Sequence, residues 1–306
     1  GRPDIMKRAF ARLLRPYIYR ELPGWGFLYL RFVGGYEADA KWRGPARTWM
    51  RGKLHGYEMS LDLGNWSNRQ TYFLGRFYDL PTQLVLLSCL RPDDIFVDIG
   101  ANEGMISLLA SRLVGPDGKV LAFEPNPAPR TIFTSAVQRN EIKNIQIFPV
   151  GLGQREQILT LNVPKANSGE ASFAGSNYSA GDLSQIECEV KVADQFLRTE
   201  SPRLIKIDVE GFELDVLQGL NKTLEQCRPG LVLEMDGQLA RNAGTNLGDV
   251  SAFLQVRGYR PFRMSICSRH KLRLTSQLPA EDAHADFLWL HPSNAILDTA
   301  DFIEPS

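Results

Sequence analysis

The sequence has no excess of charge of either sign. Its 306 residues hold 35 lysines and arginines against 35 aspartates and glutamates, so the formal net charge is zero. Proteins that bind nucleic acid usually carry a basic excess that neutralises phosphates, and the balance argues against such a partner. Hydrophobic residues at 43% and charged residues at 23% are globular values, which exclude a wholly disordered chain.

Long apolar runs are missing as well. The most apolar stretch, residues 84–90, is far shorter than the roughly 20 residues that a membrane-spanning helix requires. Near the start of the chain, basic residues interrupt every apolar run, which is not the pattern of a secretory signal. The four cysteines are scattered with no C-x-x-C pair, which argues against a zinc site. We therefore expect reduced thiols and a cytoplasmic location.

Residues 5–20 predict an amphipathic helix that Pro16 should kink or end. Because the helix is also basic, two interpretations are open. It packs on the main body, which is the commoner arrangement, or it lies on a membrane surface as a peripheral contact.

From residue 94 onward, short apolar runs alternate with amphipathic helical ones. Strands that alternate with helices predict an α/β fold with a doubly wound, mostly parallel sheet. We expect residues 1–80 to form an N-terminal extension of helix and short strands that could cap the substrate, and residues 81–306 the α/β domain.

The stretch 151–202 is too long for a simple crossover and predicts an inserted β-hairpin. The loop between its two strands, residues 164–185, is rich in serine and glycine and contains Phe173 and Tyr178. We expect this loop to be mobile in the free protein and to close over bound ligands as a lid. A surface insertion without a role is the alternative.

The first strand of this pattern runs into a helix through an acidic glycine turn that contains Asp98, Gly100, Glu103 and Gly104. Open α/β sheets bind ligands beyond the carboxyl ends of their strands, so this turn should border a ligand. The spacing differs from the G-x-G-x-x-G turn that receives a pyrophosphate. Two carboxylates suit a cationic ligand instead, such as a sulfonium bearing an amino group. A plain βα turn whose aspartate caps the helix is the alternative.

Two later strand ends are also acidic. Glu124 follows the second strand, where a carboxylate can accept both hydroxyls of a ribose. Asp208 follows a later strand and should lie beside Asp98, whereas we expect Lys206 and Glu213 to be either solvated or functional.

Residues 98–104, 123–127 and 205–213, in this order and spacing, resemble the FkbM family of methyltransferases. The resemblance covers about residues 73–236. It implies a Rossmann-like sheet of seven strands, S-adenosylmethionine as cofactor, and methyl transfer to a hydroxyl of a sugar, a glycan or a natural product. Residues 75–79 depart from the family's upstream G-x-(Tyr or Phe)-Glu segment, since Asp79 stands where a glutamate is usual and the pair is shifted.

We expect the cofactor to be bound by Asp98, Gly100, Asn102, Glu103, Gly104, Glu124, Pro125, Asn126, Gly151 and Asp208. A sugar hydroxyl needs help in losing its proton, and the candidate catalytic residues are Asp208, Glu210 and His55. Carboxylates at adjacent strand ends could instead hold Mg²⁺, with Asp208, Glu234 and Asp236 as its ligands. Two other function classes stay open. One is a module that keeps the methyltransferase fold and binds S-adenosylmethionine or a carbohydrate without turnover. The other is a nicotinamide oxidoreductase, which the missing glycine fingerprint disfavours. The oligomeric state is not predicted.

Overall fold

The computed structural model describes residues 2–44, 46–165, 171–173, 180–267 and 270–294. The chain divides into two compact units, residues 1–80 and residues 81–306. Within the described residues, no helix is both long enough and apolar enough to cross a lipid bilayer.

The first unit is a small helical layer with one short hairpin. Its helices and strands are α1 (Arg2–Tyr19), α2 (Trp25–Phe32), α3 (Asp39–Trp42), β1 (Thr48–Arg51), β2 (Glu58–Leu61) and α4 (Trp66–Leu74), with β1 and β2 antiparallel. Phe73 lies at the centre of its core, and the rings of Tyr29 and Trp42 pack edge-on against it. The helix does not end at Pro16, because α1 continues through it to Tyr19, and a kink there stays a prediction. The buried side chains of Ala11 and Ile18, on either side of Pro16, hold both halves of the helix in this core.

The second unit contains a sheet in the spatial order β12-β11-β13-β10-β9-β3-β4-β5. Its strands are β3 (Ile95–Ile99), β4 (Lys119–Phe123), β5 (Ile145–Phe148), β9 (Leu204–Ile207), β10 (Gly230–Asp236), β11 (Arg260–Cys267), β12 (Lys271–Ser276) and β13 (His284–Leu290). The strands from β10 to β5 are parallel. Its helices are α5 (Leu80–Cys89), α6 (Met105–Val114), α7 (Pro127–Arg139), α8 (Glu213–Gly219), α9 (Asn221–Gln226), α10 (Gly237–Asn242) and α11 (Leu247–Gln255).

The expected doubly wound α/β sheet is confirmed by this topology. The described part of the sheet has eight strands where seven were expected, because β11 turns back into the antiparallel strand β12. The central parallel strands are almost entirely buried, as strands covered on both faces must be. From β3 the sheet grows through β4 and β5 on one side. Later in the chain, β9 and β10 are added on the other side of β3, so the order of the strands reverses between β3 and β9. Ligands bind at such a point, beyond the carboxyl ends of the strands.

The insertion forms a separate three-stranded sheet in the order β6-β8-β7. Its strands are β6 (Gly151–Gly153), β7 (Gln157–Pro164) and β8 (Leu183–Val192). The antiparallel pairing of β7 with β8 is the predicted hairpin, and β6 adds a parallel strand to it.

The glycine at the start of α6 serves helix packing. Gly104 has φ +80°, and a Cβ at this position would collide with the ring of Phe133 from α7. The side chain that approaches Gly104 therefore belongs to the protein's own core, and the contact of Gly104 with the cofactor stays a prediction.

We expect Gly104→Ala to destabilise the protein more than Gly244→Ala does. Both glycines have a left-handed φ, which costs a residue with a Cβ about 1–2 kcal/mol. Gly244 has open space around its Cβ position, whereas Gly104 faces Phe133 and should lose about 1–3 kcal/mol more through overpacking. Urea unfolding of the two variants measures the difference. Equal losses would contradict the packing role of Gly104.

Candidate active site

A cleft opens at the carboxyl ends of β3, β4 and β9. It contains about 630 Å³ of space between protein atoms, part of which is open solvent. Its walls come from the three strand-end loops and from the insertion. They are formed by Ile99, Gly100, Asn102, Phe123, Glu124, Pro125, Val150, Gly151, Leu152, Leu161, Ala171, Phe173, Asp208, Val209, Glu210 and Phe212. The cleft therefore contains six of the predicted cofactor-binding residues: Gly100, Asn102, Glu124, Pro125, Gly151 and Asp208.

Gly100 brings two loops of the site together. It has φ +81°, and a Cβ at this position would collide with the backbone carbonyl oxygen of Asp208. The turn after β3 can thus lie directly against the turn after β9. Gly100 borders the cleft, as predicted, but its missing side chain makes room for protein backbone.

Glu124 is held at the cleft by two backbone N–H groups. Asn102 and Asn126 each donate to one of its carboxylate oxygens at 2.7 Å. Burial raises the pKa of Glu124 to about 7, although both of these hydrogen bonds favour the ionised form. A carboxylate has about four acceptor positions, so Glu124 can accept further hydrogen bonds from hydroxyl groups in the cleft.

Asp98 is not among the residues that line the cleft, and its role as a cofactor contact stays a prediction. Its side chain is fully buried, accepts a hydrogen bond from the Ser107 hydroxyl at 2.7 Å and lies 3.5 Å from the ammonium of Lys206. Through Lys206, Asp98 is linked to Asp208, which does line the cleft.

Lys206 is the residue whose importance the sequence analysis missed. Its ammonium lies 3.3 Å from an oxygen of Asp208, 3.5 Å from Asp98 and 3.3 Å from the carbonyl oxygen of Gly100. The side chain is only 11% exposed, so of the two alternatives left open for Lys206 the solvated one was wrong. A signal was present, because a lysine within the apolar run of β9 must be paired if it is buried.

Three carboxylates meet at the mouth of this site. Asp208, Glu210 and Glu234 each have an oxygen within 4.8 Å of the others, a spacing that could hold a metal ion. The negative charge of Asp208 raises the pKa of Glu234 well above its ordinary value, and burial and Glu210 raise it further. Protonation of Glu234 is the simplest way to lower the repulsion among these three carboxylates.

Asp236 does not belong to this group, which corrects the predicted metal set of Asp208, Glu234 and Asp236. One of its oxygens accepts from the backbone N–H groups of Gln238 and Leu239 and so caps α10. The other is 2.7 Å from Nδ1 of His284 on β13. Asp236 lies two residues further along β10 than Glu234, which is roughly 7 Å along a strand. Glu210 stands in its place beside Asp208 and Glu234.

Glu213 stabilises the backbone of the turn that follows β9. This buried carboxyl accepts hydrogen bonds from the backbone N–H groups of Val209 and Gly211, at 3.3 and 3.2 Å. These two hydrogen bonds brace a strained segment, in which Glu210 has φ +52° and Gly211 has φ +98°. Glu213 therefore positions Asp208 and Glu210 without touching the cleft, and its own burial raises its pKa to about 7.

The described part of the inserted loop covers the cleft. Ser172 forms an isolated bridge with Asn162 and donates a hydrogen bond from its hydroxyl to the carbonyl oxygen of Glu210 at 2.6 Å. The ring of Phe173 lies 5.7 Å from that of Phe212 and lines the cleft. This segment is thus positioned over the site as a lid would be, while its predicted closing motion stays a prediction. Tyr178 lies outside the described residues.

The remaining predicted residues have other surroundings. Asn126 is buried and its side-chain oxygen caps α7 by accepting from the N–H of Ala128, and its role as a cofactor contact stays a prediction. Glu103 lies in the turn before α6 and does not line the cleft, and its cofactor role stays a prediction. His55 belongs to the first unit, where its Nδ1 accepts from the Tyr57 N–H at 3.0 Å and its ring stacks on Tyr57. Its role as a base stays a prediction.

The model of the family described as "Methyltransferase FkbM domain" matches residues 98–261, which is more than half of the chain. This chain belongs to the FkbM methyltransferase family. Among curated proteins, it is 31% identical over 150 residues to Methyltransferase 1 of Beauveria bassiana, covering 42% of this chain and 60% of that protein. It is 26% identical over 150 residues to the hexuronic acid methyltransferase AglP of Haloferax volcanii, covering 46% of this chain and 56% of that protein. The matches thus span less than two thirds of these relatives.

A solved structure of an FkbM methyltransferase from Methylobacillus flagellatus is 15% identical, with a TM-score of 0.41. It covers 87% of this chain and 60% of that one.

The raised pKa of Glu213 gives a pH-dependent stability. A carboxyl with a raised folded pKa stabilises the fold most below its unfolded pKa of 4.5, and this contribution is lost as the pH rises through about 7. The total is roughly 3 kcal/mol. Glu213→Gln keeps an acceptor for the two N–H groups and cannot ionise. The variant should therefore gain stability relative to the wild type between about pH 5 and about pH 8.

Urea unfolding at both pH values measures this gain. Glu225→Gln, which replaces an exposed carboxyl on α9, is the matched control and should follow the wild type. A Glu213→Gln variant that also follows the wild type would contradict the buried, proton-holding brace.

Proposed function

We propose that this protein is an S-adenosylmethionine-dependent O-methyltransferase that acts on a hydroxyl group of a sugar, a glycan or a natural product. The observation that carries the proposal is the pairing of Glu124 with the carboxylates of Asp208 and Glu210 in one cleft. Glu124 is the acceptor that the ribose of a nucleoside needs. The carboxylates of Asp208 and Glu210 are what a cationic methyl donor and a hydroxyl acceptor need. Membership of the family supports the reaction class.

The residues of the cleft fit S-adenosylmethionine. Glu124 offers acceptor positions for ribose hydroxyls, and the aromatic rings of Phe123, Phe173 and Phe212 offer apolar surface for a base. Among the described residues, those that line the cleft include three carboxylates and no basic side chain, which suits a cationic ligand better than a pyrophosphate. The bound cofactor supplies an activated methyl group on a positively charged sulfur, which the nearby carboxylates attract.

The chain's own residues then have two tasks. The first is alignment: Gly100 and the brace of Glu213 fix the two turns that border the cleft, and well-aligned reactants can save up to roughly 7–11 kcal/mol of the barrier. The second is proton removal. Asp208 has a carboxylate 38% exposed at the cleft and is held through Lys206, so it can accept the proton of an acceptor hydroxyl at its oxygen.

A sugar acceptor is supported by two further points. The relative AglP is named a hexuronic acid methyltransferase. The described part of the insertion also places Phe173 beside polar groups at the site, and an aromatic face next to hydrogen-bonding groups suits a sugar ring.

We expect Glu124→Ala to weaken the binding of S-adenosylhomocysteine by about 1.5–3 kcal/mol, the usual contribution of hydrogen bonds to a charged group. Binding to the wild type should also tighten as the pH rises through about 7, because Glu124 then ionises. Calorimetric titration measures both effects. Glu124→Gln, which keeps one acceptor oxygen, should bind without this pH dependence. An unchanged affinity in Glu124→Ala with an intact circular dichroism spectrum would refute the ribose assignment.

Asp208→Asn should lower turnover by roughly 10²–10⁴, as for other lost general bases, and leave the binding of S-adenosylhomocysteine little changed. The measurement is methyl transfer from labelled donor. Asp215→Asn, at a half-buried carboxylate that does not line the cleft and accepts from Gln154, is the matched control and should keep full activity. Full activity in Asp208→Asn would contradict the assignment of Asp208 as the general base.

The same assay separates a base from a metal site. Loss of wild-type activity in EDTA, with recovery on adding Mg²⁺, would mean that Asp208, Glu210 and Glu234 act as oxygen ligands. Activity that EDTA leaves unchanged is expected if Asp208 acts as the base and Glu234 holds a proton.

A further inference from the structure

The first helix of the protein is apolar on two sides. Ala11 and Ile18 are fully buried in the core of the first unit. A second set of apolar side chains, three or four residues apart, is exposed: Met6, Phe10, Leu13 and Tyr17. Met6 and Leu13 are 73% and 77% exposed, so the core makes little use of them. At 3.6 residues per turn, the four lie within an arc of about 60° and form one stripe.

The second helix extends this exposed set. Phe27 and Leu30 on α2 are 72% and 69% exposed. The two helices are joined, because the ring of Phe10 packs edge-on against Phe32 at 5.0 Å and the Tyr17 hydroxyl donates to the carbonyl oxygen of Pro23. We call the exposed set Met6, Phe10, Leu13, Tyr17, Phe27 and Leu30 the hairpin surface. Single exposed apolar residues are normal, whereas a group of this kind marks an interaction site.

The charge around the hairpin surface is strongly positive. Residues 1–35 contain seven lysines and arginines and two acidic residues, a net charge of +5 in a chain whose total is zero. Four of the basic side chains are exposed: Lys7, Arg12, Arg20 and Arg31. Glu21, one of the two acidic residues, is engaged by Lys53 and Arg76. The carboxylate of Glu21 therefore does not neutralise the exposed basic side chains around the hairpin surface.

Exposed apolar side chains together with positive charge indicate what kind of partner the hairpin surface binds. A second copy of the chain on a twofold axis would place these basic side chains near their own copies, which is unfavourable. An anionic bilayer offers apolar depth for the exposed stripe and negative headgroups for the basic side chains around it. We propose that the hairpin surface binds anionic lipid membranes, with α1 lying in the plane of the interface.

The test is flotation of the full chain with two kinds of vesicle, phosphatidylcholine alone and phosphatidylcholine with phosphatidylglycerol. The wild type should float with the anionic vesicles and remain unbound with the neutral ones. Raising the salt concentration should weaken the binding, since exposed charges are screened.

Two variants separate the apolar and the charged contributions. Leu13→Ser with Phe27→Ser should lower the partition to anionic vesicles by on the order of tenfold or more. Arg12→Glu with Arg20→Glu should lower it at least as much, since each basic side chain at an anionic surface contributes roughly fivefold. The matched controls are Val256→Ser, at an apolar side chain 80% exposed at the end of α11, and Lys143→Glu, at an exposed lysine. Both should bind as the wild type does.

Sedimentation velocity on the same samples completes the test, with a wild-type monomer expected. The proposal would be overturned if the wild type did not float with anionic vesicles. It would also be overturned if the variants of the hairpin surface floated as well as the controls. A third contrary result is a wild-type dimer that Leu13→Ser with Phe27→Ser converts into monomers. The last result would mean that a second copy covers the hairpin surface.

Discussion

A lysine ammonium enclosed between two carboxylates holds the centre of this protein together. Lys206 on β9 lies between Asp98 on β3 and Asp208 in the turn that follows β9. Asp98 is fully buried, and removing its partner would leave a charge in the interior that costs several kcal/mol. Because Lys206 also contacts the carbonyl oxygen of Gly100, it ties the two central turns to each other. The position of Asp208 at the cleft depends on this arrangement.

The rest of the site follows from bringing these two turns so close. Gly100 must lack a side chain because the Asp208 carbonyl occupies that space, and the turn after β9 must adopt left-handed backbone at Glu210. Such a turn needs support, and the buried carboxyl of Glu213 supplies it through two backbone N–H groups. The same closeness gathers Asp208, Glu210 and Glu234, whose mutual repulsion favours a proton on Glu234. Packing constraints therefore produce the electrostatics that the proposed chemistry uses.

The sequence predicted which loops form the site better than it predicted where each side chain points. The doubly wound sheet, the inserted hairpin and Glu124 at the second strand end could be read from periodicity and spacing, because these are local signals. The burial of Asp98 could not, because its partners Ser107 and Lys206 lie 9 and 108 residues later in the chain.

Other differences came from tertiary contacts that no local pattern contains. Asp236 caps α10 and binds His284, a partner 48 residues later in the chain. Pro16 leaves α1 unbroken because buried neighbours hold both sides of it. The amphipathic pattern of residues 5–20 left two interpretations open, and the helix has an apolar face for each of them.

The central claim is that the cleft transfers a methyl group to an oxygen atom, and labelled product tests it most directly. The purified chain would be incubated with S-adenosylmethionine carrying an isotopically labelled methyl group and with a set of uronic acid glycosides, and the glycans analysed by mass spectrometry. The account predicts a product that carries one labelled methyl group on a former hydroxyl oxygen. A labelled methyl group found on nitrogen or carbon of an acceptor, or oxidation of a glycan that depends on added NAD without any methyl transfer, would contradict it.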